Sequence, residues 1–388
     1  MQQTTDNPRS FRPTTECYQS GTKTLPQRYF VSPELFKEEQ EKIFANHWIL
    51  VGHQSELANT GDYLVAAISG ESVIVIRDQS GALHAFYNVC RHRGTRLCEN
   101  NRGHVRAIQC PYHAWTYGLD GQLIGAPHMD EVPGFNKADY SLRSVRAGIW
   151  EGFVFVNLTE DRRDVSTHRR GYSIEKWFAP LTGKFSHWNL PNLRAVRRIE
   201  YDVRANWKLI FENYSECYHC PGVHPGLSKL SPYDSAENDL AEGPFLGGFM
   251  KINPGKSLTM SGNACAMPVG ADSKAEKGRV ERVFYYSIFP NMLLSMHPDY
   301  VMVHQLWPQA PDRTLIHCDW FFHPDAAKRE NFSPNDAVEF WDITNKQDWH
   351  VCELSQQGIS SCAYQPGPYS ARESMPAAWD RYYLTRMS

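Results

Sequence analysis

Cys90-Arg91-His92 and Cys110-Pro111-Tyr112-His113 each place one thiol and one imidazole in a short segment, with 17 residues between His92 and Cys110. Two thiolates on one iron and two neutral imidazoles on a second make a [2Fe-2S] centre. Such a centre carries less negative charge, and hence a higher potential, than an all-cysteine cluster. Its imidazoles can also carry protons with the electrons. Zinc accepts the same ligand types, but zinc fingers pair C-x-x-C with H-x-x-x-H, whereas here each segment mixes one Cys with one His. Cys98 falls outside the pairing and reads as a small buried hydrophobe.

His219 and His224 form a second candidate site. Pro221 and Gly222 between them break a helix and let both imidazoles turn towards one point. Two imidazoles and a carboxylate on one face of Fe(II) leave positions open for dioxygen. A later helix offers Asp342, Asp348 and Glu353, and position alone does not choose among them. Glu216, three residues before His219, falls on the same face of an expected helix from Trp207 to Cys220; taken alone it reads as an exposed Glu paired with a basic residue. Cys217 and Cys220 are interleaved with the histidines and read as pocket or core residues. Ten cysteines in a chain without an export signal read as thiols or metal ligands, not as a disulfide framework.

Four segments resemble the Rieske non-haem iron oxygenases, alpha subunit, across nearly the whole chain. They are Cys90-Arg91-His92-Arg93-Gly94, Cys110-Pro111-Tyr112-His113-Ala114-Trp115, the run from Glu212-Asn213-Tyr214 through Glu216 and Tyr218-His219 to His224, and Gln347-Asp348 to Val351-Cys352-Glu353. The resemblance implies a Rieske [2Fe-2S] cluster on Cys90, His92, Cys110 and His113, and a mononuclear Fe(II) on His219, His224 and Asp348. It implies that Glu216 joins His219 to His113 of a neighbouring subunit, a head-to-tail contact that closes most simply as a homotrimer. Electrons are then expected from NAD(P)H through a separate flavin/iron-sulfur reductase, since no G-x-G-x-x-G loop is evident. With Glu at 216 where the family usually has Asp, the Glu212–Pro221 segment is most similar to the branch of glycine betaine monooxygenase, stachydrine demethylase and carnitine monooxygenase. That implies monooxygenation of an N-methyl group of a quaternary ammonium compound, with collapse to formaldehyde. The alternative is a ring-hydroxylating oxygenase acting on an aromatic compound. An aromatic cage for a cation has candidates in Tyr214, Tyr285, Trp307, Trp320 and Trp349, each of which would as readily fill the core.

The elements that must position these residues give an α+β fold. A polar lead-in precedes a helix over Ser32–Ala45, capped by Ser32, with Pro33 first and Glu34 facing the dipole. Short β-branched runs then alternate with turns, at Tyr63–Ile68, Ser72–Arg77 and Leu83–Val89, with later hairpins at Thr116–Leu123 and Trp150–Asn157. Beyond a charged linker at Thr159–Asp164 come strands at Val196–Val203, Arg282–Phe289, Met292–Met296, Met302–Pro308 and Thr314–Phe322, interrupted by a Gly/Pro/Ser-rich stretch from Pro221 to about Gly278. A long helix follows, from Asp336 to about Gln357. The expected domains are an arm over 1–47 packing with the catalytic domain, an all-β Rieske domain over 48–158, and a catalytic domain over 165–388 with an antiparallel sheet wrapped round the long helix, a helix-grip.

The 388 residues suit two domains, and 11 Trp, 19 Tyr and 19 Phe must line a core, interface or pocket. A net charge of -3 gives no electrostatic reason to expect nucleic acid or an anionic membrane. With no apolar run long enough for a signal or a span, a cytoplasmic location is expected.

Overall fold

The computed structural model describes residues 10–159, 172–269, 281–326, 328 and 332–388. Residues 160–164 of the expected linker, the start of the lead-in, and 270–278 of the Gly/Pro/Ser-rich stretch lie outside them. The chain divides into two compact units, Gln40–Phe185 and Met1–Glu39 with Ser186–Ser388.

The first unit is built on a seven-stranded antiparallel sheet. Its order is Ile49–His53, Phe153–Asn157, Ser144–Trp150, Leu83–Tyr87, Glu71–Arg77, Asp62–Ile68 and Arg102–His104. A second sheet of three short strands, Ile108–Gln109, Thr116–Tyr117 and Leu123–Gly125, holds Cys110 and His113 between its first two strands. Val73 to Ile76 are all buried, so this strand is covered on both faces. The turn after it is made by Asp78, whose carboxylate accepts the N–H groups of Ser80 and Ala82, both at 2.9 Å. Hydrogen bonds from Ser80 and His84 hold that carboxyl down at about 2.

The boundaries differ from those expected. Residues 172–185 belong here and not with the catalytic domain, because the Ile174–Phe178 helix packs on the Ser144–Trp150 strand. Trp150 stacks on Phe178 with centroids 4.3 Å apart, and a Cβ on Gly148 would come within 2.7 Å of Ile174. Residues 40–47 also belong here. The expected Ser32–Ala45 helix is regular only over Pro33–Glu39, with the Ser32 hydroxyl capping the Leu35 N–H at 3.1 Å. After Glu39 it widens, so that the Ala45 N–H reaches back five residues to the Gln40 carbonyl.

The second unit is an eight-stranded antiparallel sheet. Its order is Arg12–Pro13, Glu237–Leu240, Phe245–Lys251, Arg282–Ile288, Met292–Met296, Val301–Ala310, Arg313–Phe322 and Arg194–Val203. The long helix runs over Asn335–Ile359, and among its buried residues Ala337, Trp341, Asn345, Trp349, Cys352, Gln356 and Ile359 recur three or four apart, a single buried face. Residues from both ends of the chain meet in this unit. Buried Glu39 accepts from Lys208 Nζ (2.5 Å), Tyr383 Oη (2.6 Å) and Trp207 Nε1 (2.8 Å). The Tyr18 hydroxyl donates to the Tyr369 carbonyl at 2.8 Å. A second helix, Ser374–Met387, went unread in the sequence because it is buried from Ser374 to Asp380 with no polar face to give it a period.

Candidate functional site

The two Cys/His segments fold alike. In the first, the Gly94 N–H bonds the Cys90 carbonyl (3.0 Å) and the Cys90 N–H bonds the Thr95 carbonyl (2.8 Å); in the second, Ala114 and Trp115 repeat this around Cys110 at 3.1 and 2.8 Å. Both turns need a left-handed fifth residue, supplied by Gly94 at φ 80° and Ala114 at φ 55°. The result brings the four expected ligands together. His92 and His113 have ring centroids 4.7 Å apart, and both cysteines are buried in the core that includes Trp115 and Tyr117. Burial alone would raise the Cys110 thiol, but the amides of Tyr112 and His113 outweigh it and hold the thiol below its usual range. The Nδ1 of His113 is buried and has no hydrogen-bond partner among the described residues. A nitrogen kept free beside two buried thiols fits a cluster ligand. Cys98 is buried in the same core, and burial pushes its thiol up to about 11.

In the other unit the expected Trp207–Cys220 helix ends early, at Tyr214. The Ser215 hydroxyl donates to the Phe211 carbonyl at 2.6 Å, competing with the next helical turn. Glu216 therefore lies off the helix, and its carboxylate instead caps the turn that follows. One oxygen accepts the N–H groups of Tyr218 and His219, and the other lies 2.5 Å from His219 Nδ1. The irregular backbone also brings the Cα atoms of Cys217 and Cys220 to 5.0 Å, within the range for a bridge. They form a disulfide, which corrects the expectation of free thiols; both residues also line the cavity described below.

His219, His224 and Asp348 converge. Asp348 Oδ1 lies 2.8 Å from His224 Nε2 and 3.3 Å from His219 Nε2. The outer nitrogens are engaged elsewhere: Nδ1 of His219 by Glu216, and Nδ1 of His224 by Gln347 Oε1 at 2.8 Å. Both Nε2 atoms are thereby directed at one point, with the outer carboxylate and amide fixing ring orientation, as around bound metals. Burial would lower the His219 pKa, but the bonds to Asp348 and Glu216 outweigh it and lift it to about 10. The same negative surroundings suit a metal cation. Cys220 also lies near the two imidazoles, but the disulfide removes its thiolate, so Asp348 is the better third donor. The other two carboxylates are occupied: Asp342 accepts from Tyr201 (3.0 Å) and Lys346 (2.6 Å), and Glu353 from the Arg204 N–H (2.9 Å).

The three converging residues open onto a cavity of about 250 Å³. Of the five aromatic candidates, Tyr214, Tyr285 and Trp349 line it; Trp320 is buried in the core, and Trp307 lies beside His317. Trp341, His304 and Asn345 also line it and were not singled out from sequence. The signal for two of them was helical spacing, since Trp341 and Asn345 fall seven and three residues before Asp348 on one helix face. Burial pushes His304 down to about 4, so it is neutral.

Comparison with known proteins agrees with this arrangement. Residues 47–136 match the family model for the Rieske [2Fe-2S] domain, and residues 190–388 match that for the ring hydroxylating alpha subunit, catalytic domain. The chain is 32% identical over 376 residues to the glycine betaine monooxygenase oxygenase subunit of Chromohalobacter salexigens, covering 90% of this chain and 82% of that protein. It is 31% identical over 350 residues to the carnitine monooxygenase oxygenase subunit of Escherichia coli K12, covering 88% and 86%. A crystal structure of the quaternary ammonium Rieske monooxygenase CntA superposes with a TM-score of 0.79 at 25% identity, covering 98% of this chain and 99% of that one.

Proposed function

Because the chain belongs to the Rieske non-haem iron oxygenases, and carries both the [2Fe-2S] and the mononuclear-iron catalytic domain, we propose that it is a terminal oxygenase that hydroxylates an N-methyl group of a quaternary ammonium compound. The substrate is glycine betaine-like, and the hydroxylated methyl leaves as formaldehyde. The observation that carries this reading is an aromatic-lined cavity, with Tyr214, Tyr285, Trp341 and Trp349, beside a carboxylate-bearing metal site. Aromatic faces and Asp348 attract a cation that cannot be a conventional hydrogen-bond donor. The oxygenases named above for glycine betaine and carnitine point the same way.

In this reading Cys90, His92, Cys110 and His113 hold the cluster, and His219, His224 and Asp348 hold the mononuclear iron. That iron, when bound, supplies dioxygen activation. Glu216 orients His219 through Nδ1 and accepts from His113 of a neighbouring subunit, giving electrons a bonded route in a homotrimer. The remaining lining residues hold the substrate's cationic end and exclude water.

The test is a panel of betaines, carnitine, choline and aromatic acids with NADH, a generic reductase and dioxygen, following formaldehyde and dioxygen together. Formaldehyde in step with dioxygen on an ammonium compound is expected. Oxygenated aromatic products without formaldehyde would instead establish the ring-hydroxylating alternative.

A further inference from the structure

The Cys217–Cys220 bridge encloses His219, and both cysteines line the cavity beside the three converging residues. Stabilisation by a bridge grows with the length of chain it closes. This one joins residues only three apart, so it does little to hold the fold. Its two sulfurs are not equivalent, since Cys220 is 3% exposed whereas Cys217 is half-buried. Cys220 Sγ also belongs to a group with one nitrogen each of His219 and His224, all within 4.8 Å of one another. Its backbone is fixed there, because the Cys220 carbonyl accepts the His224 N–H at 2.8 Å and the Ser228 hydroxyl at 3.1 Å. Opening the bridge therefore releases a buried sulfur already placed against the two imidazoles.

We propose that the bridge decides which metal site this loop offers. Closed, it leaves His219, His224 and Asp348 to hold Fe(II); opened, it lets Cys220 join the two imidazoles as a thiolate, and the site takes zinc. This rests on the iron-ligand reading above. The opening step is thiol–disulfide exchange with a small dithiol. One thiolate of the dithiol attacks the more accessible Cys217 sulfur, the Cys217–Cys220 bond breaks, and its electron pair leaves on Cys220. The second sulfur of the dithiol then displaces Cys217. The bridge gains two electrons, the dithiol becomes a cyclic disulfide, and of its two protons one ends on Cys217 and the other in solvent. Expulsion of Cys220 is the favoured direction, since its thiolate emerges where a bound cation neutralises it. Sulfur added to two imidazoles shifts the preference towards zinc and fills a position that Fe(II) keeps open. The oxygenase is then competent with the bridge closed and silenced by excess thiol.

Cobalt reports the change of ligand, because a thiolate on Co(II) adds an intense charge-transfer band in the near ultraviolet. The cluster-bearing protein, stripped of mononuclear iron, is equilibrated with oxidised or reduced dithiothreitol, freed of it by gel filtration without dioxygen, and given Co(II). The oxidised form is expected to bind the ion without the band. In the reduced form the band appears, and alkylation marks Cys217 and spares Cys220. In the iron-loaded protein, zinc displaces Fe(II) at a lower concentration once the bridge is open. Cys217→Ser shows the band without any dithiol, and Cys220→Ser shows it in neither state. A bridge that does not form or does not open, a band missing from both the reduced protein and Cys217→Ser, a band that persists in Cys220→Ser, or equal alkylation of the two cysteines overturns the inference alone. Failure of the oxidised protein to bind Co(II), or binding unchanged in His224→Ala, sinks the iron-ligand reading and this inference with it.

Discussion

Glu39 and Asp348 are carboxylates in the same unit, and they are used in opposite ways. Glu39 is sealed from solvent, with its two oxygens met by an ammonium, a phenol and an indole, all within 2.8 Å. Asp348 faces a cavity and shares a single oxygen with two imidazoles whose outer nitrogens are already engaged. A saturated acid ties segments together and has nothing left for a ligand. An acid whose only neighbours are directed at a common point has a position to fill. What distinguishes structural from functional carboxylates here is the supply of donors, since both are largely buried.

The contrast can be broken most severely at Asp348. Asp348→Ala is expected to abolish dioxygen consumption and lower iron from three atoms per chain to two, with the [2Fe-2S] absorption unchanged; retention of all three irons would refute the ligand assignment. Lys208→Met should act in the opposite sense, on the fold. Leaving Glu39 buried without its cation costs about 3–5 kcal/mol, read as a lower denaturant midpoint, while the protein that remains folded keeps its iron. Gln347→Leu falls between the two regions. Loss of the bond that orients His224 should weaken mononuclear iron binding by roughly 10- to 100-fold, measured by chelator competition.

The smallest effect sharpens the structural side. Burial raises the Asp380 carboxyl from 3.8 to about 7, and its neighbour Glu212 is raised with it. The folded protein then keeps a proton that the unfolded chain releases, so this group's contribution to stability falls as pH rises from about 4 to about 7 and is level above that. Asp380→Asn removes the penalty. Its stability relative to the parent protein should improve between pH 5 and pH 8, and a constant difference across that range would contradict the assignment.

Much of the site was legible because metal chemistry restricts residue type. The Cys/His segments and the His219 and His224 pair could be picked out without knowing any backbone path, whereas Asp348 was separated from Asp342 and Glu353 only by the resemblance of its segment to the family. The path itself was less legible. Nothing in Tyr214-Ser215-Glu216 announces that a serine hydroxyl will end the helix and turn Glu216 from a helical-face residue into the cap of the next turn. The spacing of Cys217 and Cys220 suits a helix as well as the irregular turn that joins them. Choosing among tryptophans needed to know which way each strand residue faces. Trp320 points into the core, while Trp341 was recoverable by counting back along the helix from Asp348.

The order of assembly along the chain is set by the way one unit draws on both termini. Residues 40–185 are contiguous and can complete their contacts during synthesis, so the cluster loops can close while later residues are still on the ribosome. The other unit is stapled by Tyr18 to Tyr369 and by Glu39 to Tyr383, contacts 351 and 344 residues apart. Its amino-terminal portion can meet Trp207, Lys208 and the Glu237–Leu240 strand earlier, but completes its contacts only when the Ser374–Met387 helix emerges. Limited proteolysis of ribosome-bound chains of increasing length should reveal protection of the middle first, and full protection of residues 10–39 only once Tyr369 and Tyr383 have emerged.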